Sequence, residues 1–172
     1  ISTYKNLNME LDDFAKLNSY KANYEQNIVL MQEYEEVMKQ NNALDFDDLM
    51  IKTLKILQSF IEIREKYQKH FKYILIDEFQ DTNQVQYDLV KILAGYYKNV
   101  FAVGDEDQSI YSWRGANVKN IQKFLKDYDN TTLYKLEQNY RSTKNIIDCA
   151  NKIIKFNEKR IDKTLFTENE QG

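Results

Sequence analysis

Two adjacent acids close an apolar run in Tyr73-Ile74-Leu75-Ile76-Asp77-Glu78-Phe79-Gln80-Asp81, and their chemistry is the easiest in the chain to assign. The run is short and β-branched, so it reads as a fully buried strand of a parallel sheet. Asp77 and Glu78 then fall just past its carboxyl end, where open α/β sheets place their ligands. At such a tip one acid can hold Mg²⁺, directly or through water. The other can orient or deprotonate a water. Together they suit a metal–nucleotide site. A lone pair would more often be an acidic loop after a core strand; the rest of the chain reverses that preference and argues for the site.

Two further strand ends carry polar blocks. One is Val103-Gly104-Asp105-Glu106-Asp107-Gln108-Ser109-Ile110-Tyr111-Ser112-Trp113-Arg114-Gly115-Ala116, the other Leu136-Glu137-Gln138-Asn139-Tyr140-Arg141-Ser142-Thr143. With the first block they are expected to converge on one side of a parallel sheet. Phosphoryl transfer needs a metal, a positioned water and a cation on the moving phosphate. Asp77, Glu78 and Arg141 are the residue types for all three, although Arg141 also suits a surface salt bridge or a first-turn helix position. Tyr111 and Trp113 offer faces on which bases of single-stranded DNA can stack, and Arg114 offers a phosphate contact. A single Trp is more often core than platform, but Trp113 sits between Ser112 and Arg114 in a polar loop, which favours the platform. Gln80 and Asp81 are expected to support the acids and to cap the helix that starts at Gln84.

These blocks need elements to hold them. Residues 1–70 read as helix throughout. Tyr20, Tyr24, Ile28, Met31, Tyr34, Val37 and Met38 recur at spacings of three and four, one apolar stripe on a long helix. Asp45 is an expected N-cap, with Asp47 and Asp48 in the first turn, and Ser59 is expected to cap a further helix through Tyr67. His70 receives no role. From residue 71 the pattern becomes α/β: strands over 73–77, 100–104 and 132–136, and helices over 84–94, 118–128 and about 142–156. Strands about thirty residues apart with helices between them indicate βαβ units. Gly95 is expected as a left-handed helix cap. Cys149, in the pattern Ile146, Ile147, Cys149, Ala150, Ile153, Ile154, is expected as a small core residue, and the charged tail after Asn157 as partly disordered.

Composition narrows the class. The 172 residues are 30% charged and 13% aromatic, enough apolar content for a core. No run of 18 apolar residues or signal peptide is present. The single cysteine cannot form an internal disulfide, which fits a cytoplasmic setting. Net charge is −3, so any contact with nucleic acid is local and relies on stacking as much as on charge. No two of the four glycines have the spacing of a phosphate-cradling P-loop. The chain opens on Ile1 and closes on Glu-Asn-Glu-Gln-Gly without a terminal structure signal, and reads as an internal piece of a longer protein.

The three blocks resemble motifs II, III and IV of the UvrD/PcrA/Rep group of superfamily-one DNA helicases. Leu44-Asp45-Phe46-Asp47-Asp48-Leu49 resembles a short motif that precedes motif II there, and Lys163-Thr164-Leu165-Phe166-Thr167 the segment after motif IV. The likeness covers residues 43 to 172 in order and with the family's gaps; the first forty residues match in helical character alone. It implies an ATP-dependent enzyme that translocates 3′-to-5′ on single-stranded DNA and unwinds 3′-tailed duplex, with ATP and Mg²⁺ as cofactors and repair or replication proteins as partners. It implies Asp77 as the Mg²⁺ ligand and Glu78 as the base that activates water. Gln108 would sense the γ-phosphate and link it to DNA, and Arg141 would contact that phosphate from the second motor domain. Tyr140 would stack on the adenine, Gln80 would belong to the nucleotide site, and Tyr111, Trp113 and Arg114 would lie along the DNA path.

By this likeness residues 1–70 are a helical 1B-like segment, 71–126 the second half of a RecA-like motor domain 1A, and 127–172 the start of motor domain 2A. The fold class is α/β and helix-rich, a helical segment followed by part of a P-loop NTPase parallel sheet. Motifs I, V and VI are absent, and Tyr128-Asp129-Asn130 lacks the proline usual after the second helix. The chain alone is therefore expected to be inactive. Two other readings share these residues: a non-hydrolysing DNA-binding or scaffold module built on the fold, and a subunit of a helicase–nuclease.

Overall fold

A computed structural model describes residues 1–157 and 160–172, the Arg114 side chain excepted. Five helices come first: α1 (Ser2–Asn6), α2 (Leu11–Asn18), α3 (Tyr24–Gln40), α4 (Phe46–Ser59) and α5 (Ile61–His70). The expected N-cap at Asp45 is present. Its carboxylate accepts the Asp48 amide at 2.7 Å, and the Asp48 carboxylate accepts the Asp45 amide at 3.2 Å, a reciprocal capping box. Ser59 ends α4 instead of capping α5, which starts after Phe60 with no side-chain cap. On α3 the inward stripe is Tyr24, Ile28, Met31, Tyr34 and Met38; Tyr20 precedes the helix, and it and Val37 are exposed.

The α/β part follows as β1 (Ile74–Ile76), α6 (Gln84–Leu93), β2 (Val100–Ala102), α7 (Lys119–Asp127) and α8 (Lys144–Ile154). The strands pair in parallel, Ile74 with Val100, Leu75 with Phe101 and Ile76 with Ala102. A parallel pair needs a crossover, and α6 supplies it. Ile76, Val100 and Ala102 face a core of Phe79, Tyr87 and Phe124. The other face is open: Leu75 is 74% exposed and Phe101 59%. The expectation of a fully buried strand is thus corrected to a strand covered on one side, because the helices of this chain pack on one face.

Several further expectations change. Residues 132–136 form no strand; Leu133, Tyr134 and Leu136 are exposed, and the chain pairs just beyond them, through a parallel bridge of Gln138 with Phe166. A strand forms only beside a partner with open hydrogen-bonding groups, and β1 and β2 run elsewhere. The cap of α6 is Asn83, boxed with Gln86, and not Gln80 or Asp81. Gly95 has no left-handed backbone; a Cβ there would lie 2.5 Å from Gln68 Nε2, so the glycine leaves room for that amide, which donates to the Ile92 carbonyl at 2.6 Å. Cys149 is exposed. The inward face of α8 is Ile147, Asn151 and Ile154, and Cys149 lies on the other side of the turn. The tail is tied down from residue 160 onward: Asn169 Nδ2 donates to the Tyr140 and Ser142 carbonyls, and Gln171 Nε2 to Asn145 Oδ1. Among the described residues no helix is long and apolar enough to cross a membrane.

Candidate nucleotide and DNA site

Beyond β1 the ladder continues irregularly. Val103 N donates to the Ile76 carbonyl at 2.8 Å and Phe79 N to the Val103 carbonyl at 2.9 Å. Between these bonds the chain must turn, and Glu78 does so with a left-handed backbone, φ +50°. For a non-glycine residue that conformation costs on the order of 1–3 kcal/mol and concentrates at functional sites. Its effect is to leave both the Asp77 and Glu78 side chains exposed at the strand tip.

Gln80, 1% exposed, organises this tip. Its Nε2 donates to Glu78 Oε2 at 2.7 Å, and its Oε1 accepts the Asp105 amide at 2.9 Å. One amide therefore ties the general-base candidate to the end of the second strand. Gly104 makes this possible: a Cβ there would lie 2.7 Å from Gln80 Oε1. Asp77 Oδ1 accepts the Glu78 amide at 2.9 Å. A Mg²⁺ ion takes one or two carboxylates and completes its shell with water and phosphate oxygens. A single exposed carboxylate with its second oxygen free of that amide fits such a partial site. A closed cage is not what the chain offers: among the described residues no group of three or more His, Cys, Asp or Glu side chains could hold a metal.

On the second loop, Gln108 is exposed and its Nε2 donates to Asp105 Oδ2 at 2.8 Å. Asp105 also accepts Lys163, Asp107 lies 3.3 Å from Arg160 and 3.4 Å from Lys163, and the Glu106 carboxylate accepts the Ile161 amide. Burial alone would raise the Asp105 pKa, but the Lys163 and Gln108 hydrogen bonds outweigh it and hold the carboxyl below its ordinary range. The loop ends in a short 3₁₀ turn, Ser112–Arg114. Trp113 is 72% exposed, so it is not core, and its ring centroid lies 6.4 Å from that of Tyr111 at an interplanar angle of 50°. The Arg114 side chain lies outside the described residues.

The structure thus gathers Asp77, Glu78, Gln80 and Gln108 across two strand ends, with Tyr111 and Trp113 farther along the second loop. Among the described residues, Tyr140 and Arg141 form no hydrogen bond or ion pair with Asp77, Glu78, Gln80 or Gln108. Both are exposed; Tyr140 Oη donates to Gln138 Oε1 at 2.9 Å, and the Arg141 amide caps onto Asn139 Oδ1 at 3.0 Å. What connects the third block to the second is the tail segment with Arg160 and Lys163. Sequence reasoning did not foresee that connection. It also missed Asn120, fully buried, whose Nδ2 donates to the Thr82 carbonyl at 3.0 Å and lies 3.2 Å from Thr82 Oγ1, behind the acids. The Asn83–Gln86 box carried a readable signal, a capping residue three positions before an amide.

Comparison with known proteins gives the following. The family model for the UvrD/REP helicase N-terminal domain matches residues 1–129, and that for the UvrD-like helicase C-terminal domain matches residues 134–172. The chain is 47% identical over its whole length to an ATP-dependent DNA helicase PcrA of Bacillus subtilis, covering 23% of that protein. It is 45% identical to PcrA helicases of Staphylococcus aureus and Leuconostoc citreum, again over its whole length and 24% and 23% of theirs.

Proposed function

The chain belongs to the UvrD/Rep helicase family, and from that premise we propose that it is the portion of an ATP-driven, 3′-to-5′ DNA helicase that carries the catalytic acids and a DNA-contacting loop. It spans less than a quarter of the length of the curated relatives described above, so the activity is that of a longer protein. Residues 1–70 would form a helical 1B-like segment, 71–126 the second half of motor domain 1A and 127–172 the start of motor domain 2A. The setting is cytoplasmic, and the substrates are ATP, single-stranded DNA and 3′-tailed duplex.

The observation that carries the reading is the Gln80 bridge. It fixes the Glu78 carboxylate at an exposed strand tip and reports its position to the loop that holds Gln108 and Trp113. Bound Mg²⁺ would neutralise phosphate charge and orient the nucleotide. Asp77 would hold that ion through its exposed carboxylate. Glu78 would accept the proton of the attacking water, oriented for it by the Gln80 amide. Gln108, held by Asp105, would sense the γ-phosphate, Arg141 would offset its charge from the second domain, and Tyr140 would stack on the adenine. Tyr111 and Trp113 would stack on bases, and Arg114 would contact the strand's phosphates.

The test is steady-state hydrolysis by the full-length protein with and without single-stranded DNA. DNA-stimulated turnover that Glu78→Gln removes, while nucleotide binding persists, is the expected result. Wild-type turnover in that variant would overturn the assignment. The chain by itself has no phosphate cradle and is expected to show background ATPase only.

A further inference from the structure

Behind the Trp113 loop lies α1, and α1 is too short to hold itself in place. A helix of five residues has no stability of its own, so its position must come from contacts. Lys5 makes the strongest of them. Its ammonium, in a residue 3% exposed, lies 2.8 Å from Asp45 Oδ2, 2.9 Å from Asp48 Oδ1 and 2.9 Å from Glu35 Oε1. Tyr4 Oη donates to Glu35 at 2.5 Å and Tyr34 Oη to Asp45 at 3.0 Å. The acids come from α3, from the cap of α4 and from its first turn. Burial alone would depress the Lys5 pKa, but the three carboxylates outweigh it and raise it, so the ammonium stays charged.

The next residue faces the loop. Asn6 Oδ1 accepts Asn83 Nδ2 at 2.7 Å, and both residues are buried. Asn6 Cβ also backs Gly115, whose own Cβ, if it had one, would lie 3.0 Å away; Gly115 turns there with φ +87°. The loop closes on itself just above, Gly115 N to the Ser112 carbonyl at 3.0 Å and Ala116 N to the Tyr111 carbonyl at 3.2 Å. Asn117 N then donates to the Thr82 carbonyl at 3.0 Å. A cavity of about 420 Å³ lies beside this contact, lined by Ser2, Asn6 and Leu7 of the α1 segment and by Ser112, Trp113 and Gly115 of the loop. The loop meets α1 at Asn6, where Gly115 turns.

We propose that Lys5 and Asn6 are positioning residues for the Trp113 loop. Lys5 pins α1 to the acids of α3 and α4, and Asn6 supplies the seat on which Gly115 turns. Through Asn83 that seat is joined to the segment that follows Asp77 and Glu78. A displacement at residues 77–83 thus reaches Trp113 through the Asn83–Asn6 bond as well as along the chain through Gln108. The consequence for DNA rests on the reading given above; the seat itself does not.

The chain contains one tryptophan, so its fluorescence reports this loop alone. The experiment measures the anisotropy decay of Trp113 and the affinity for oligothymidine in the whole chain and in Asn6→Ala, Lys5→Met and Lys5→Arg, with circular dichroism to confirm helicity. In Asn6→Ala and Lys5→Met the fast component of the decay should grow. Oligothymidine affinity should fall about tenfold, within the contribution of one stacked base. Lys5→Arg keeps the charge and should restore both. If Lys5→Met loses helicity, Asn6→Ala decides, since it keeps the helix and the Cβ against Gly115 but removes the bond to Asn83 that holds that seat in place. An unchanged decay in folded Asn6→Ala overturns the proposal. A changed decay in a chain that does not bind oligothymidine upholds the seat and breaks the DNA reading.

Discussion

Two groups of acids in this molecule differ in what answers their charge. Glu35, Asp45 and Asp48 surround Lys5, which is buried among them, and two tyrosine hydroxyls complete the set. Asp77 and Glu78 stand exposed at a strand tip, and no described lysine or arginine forms an ion pair with either; their partners are a backbone amide and the Gln80 side chain. The first arrangement is closed: a cation of the chain neutralises acids that burial would otherwise make unfavourable. The second is open: a strained backbone and a buried amide aim carboxylates outward. An acid cluster that brings its own cation holds helices together, and one that is aimed at solvent is fitted to a cation and phosphate from outside.

Substitutions that swap the two behaviours test the contrast. The largest effect is expected at the open tip. Glu78→Gln in the full-length protein should lower the rate of hydrolysis by about 10²–10⁴-fold, the usual contribution of a general base. It should leave the thermal unfolding of the chain within about 0.5 kcal/mol of wild type, as for an exposed substitution. Lys5→Met should do the reverse at the closed cluster. Stranding three acids should cost about 3–5 kcal/mol of stability, read by denaturant unfolding. Equal stability losses at the two sites would dissolve the distinction.

Trp113→Ala should come next, costing about 1–3 kcal/mol of single-stranded DNA binding in a fluorescence-independent assay such as filter binding. Unchanged affinity there would remove the stacking platform from the reading. The smallest effect is on acid stability. Burial would raise the Asp45 pKa, but Lys5, the Asp48 amide and Tyr34 hold it below its ordinary value. A depressed carboxyl stabilises the fold above its unfolded pKa, about 3.9, and that stability is lost as pH falls through the folded value. Thermal melts from pH 7 to pH 3 should therefore drop steeply only below about pH 4, and Asp45→Asn should flatten that limb. The Lys5 pKa is raised, so its contribution is present throughout that range and would be lost only at strongly alkaline pH.

What could be read from the residues follows from how local each signal is. The strand–acid junction at Asp77, the cap at Asp45 and the polar setting of Trp113 are all written within a few neighbouring positions, and each appears in the structure where expected. The strand over 132–136 was not found because a strand also needs a partner, which no local pattern supplies. Cys149 was misread because its neighbours Ile146 and Ile153 suggested a wide apolar face, whereas α8 buries a narrow one. The Lys5 cluster had no signal at all: its acids lie between 30 and 43 residues away along the chain, and ion pairing at that range leaves no periodicity.

The bare face of the β1–β2 pair has a consequence for handling the molecule. A two-stranded sheet has an outer edge on each strand, and here one face also presents Leu75 and Phe101 to water. Unpaired strand edges beside exposed apolar side chains are templates for adding another strand. Copies of this 172-residue chain on its own are therefore expected to associate along that edge as concentration rises, read by dynamic light scattering across a concentration series. A charge placed at Leu75 or Phe101 would raise solubility without touching the strand tip.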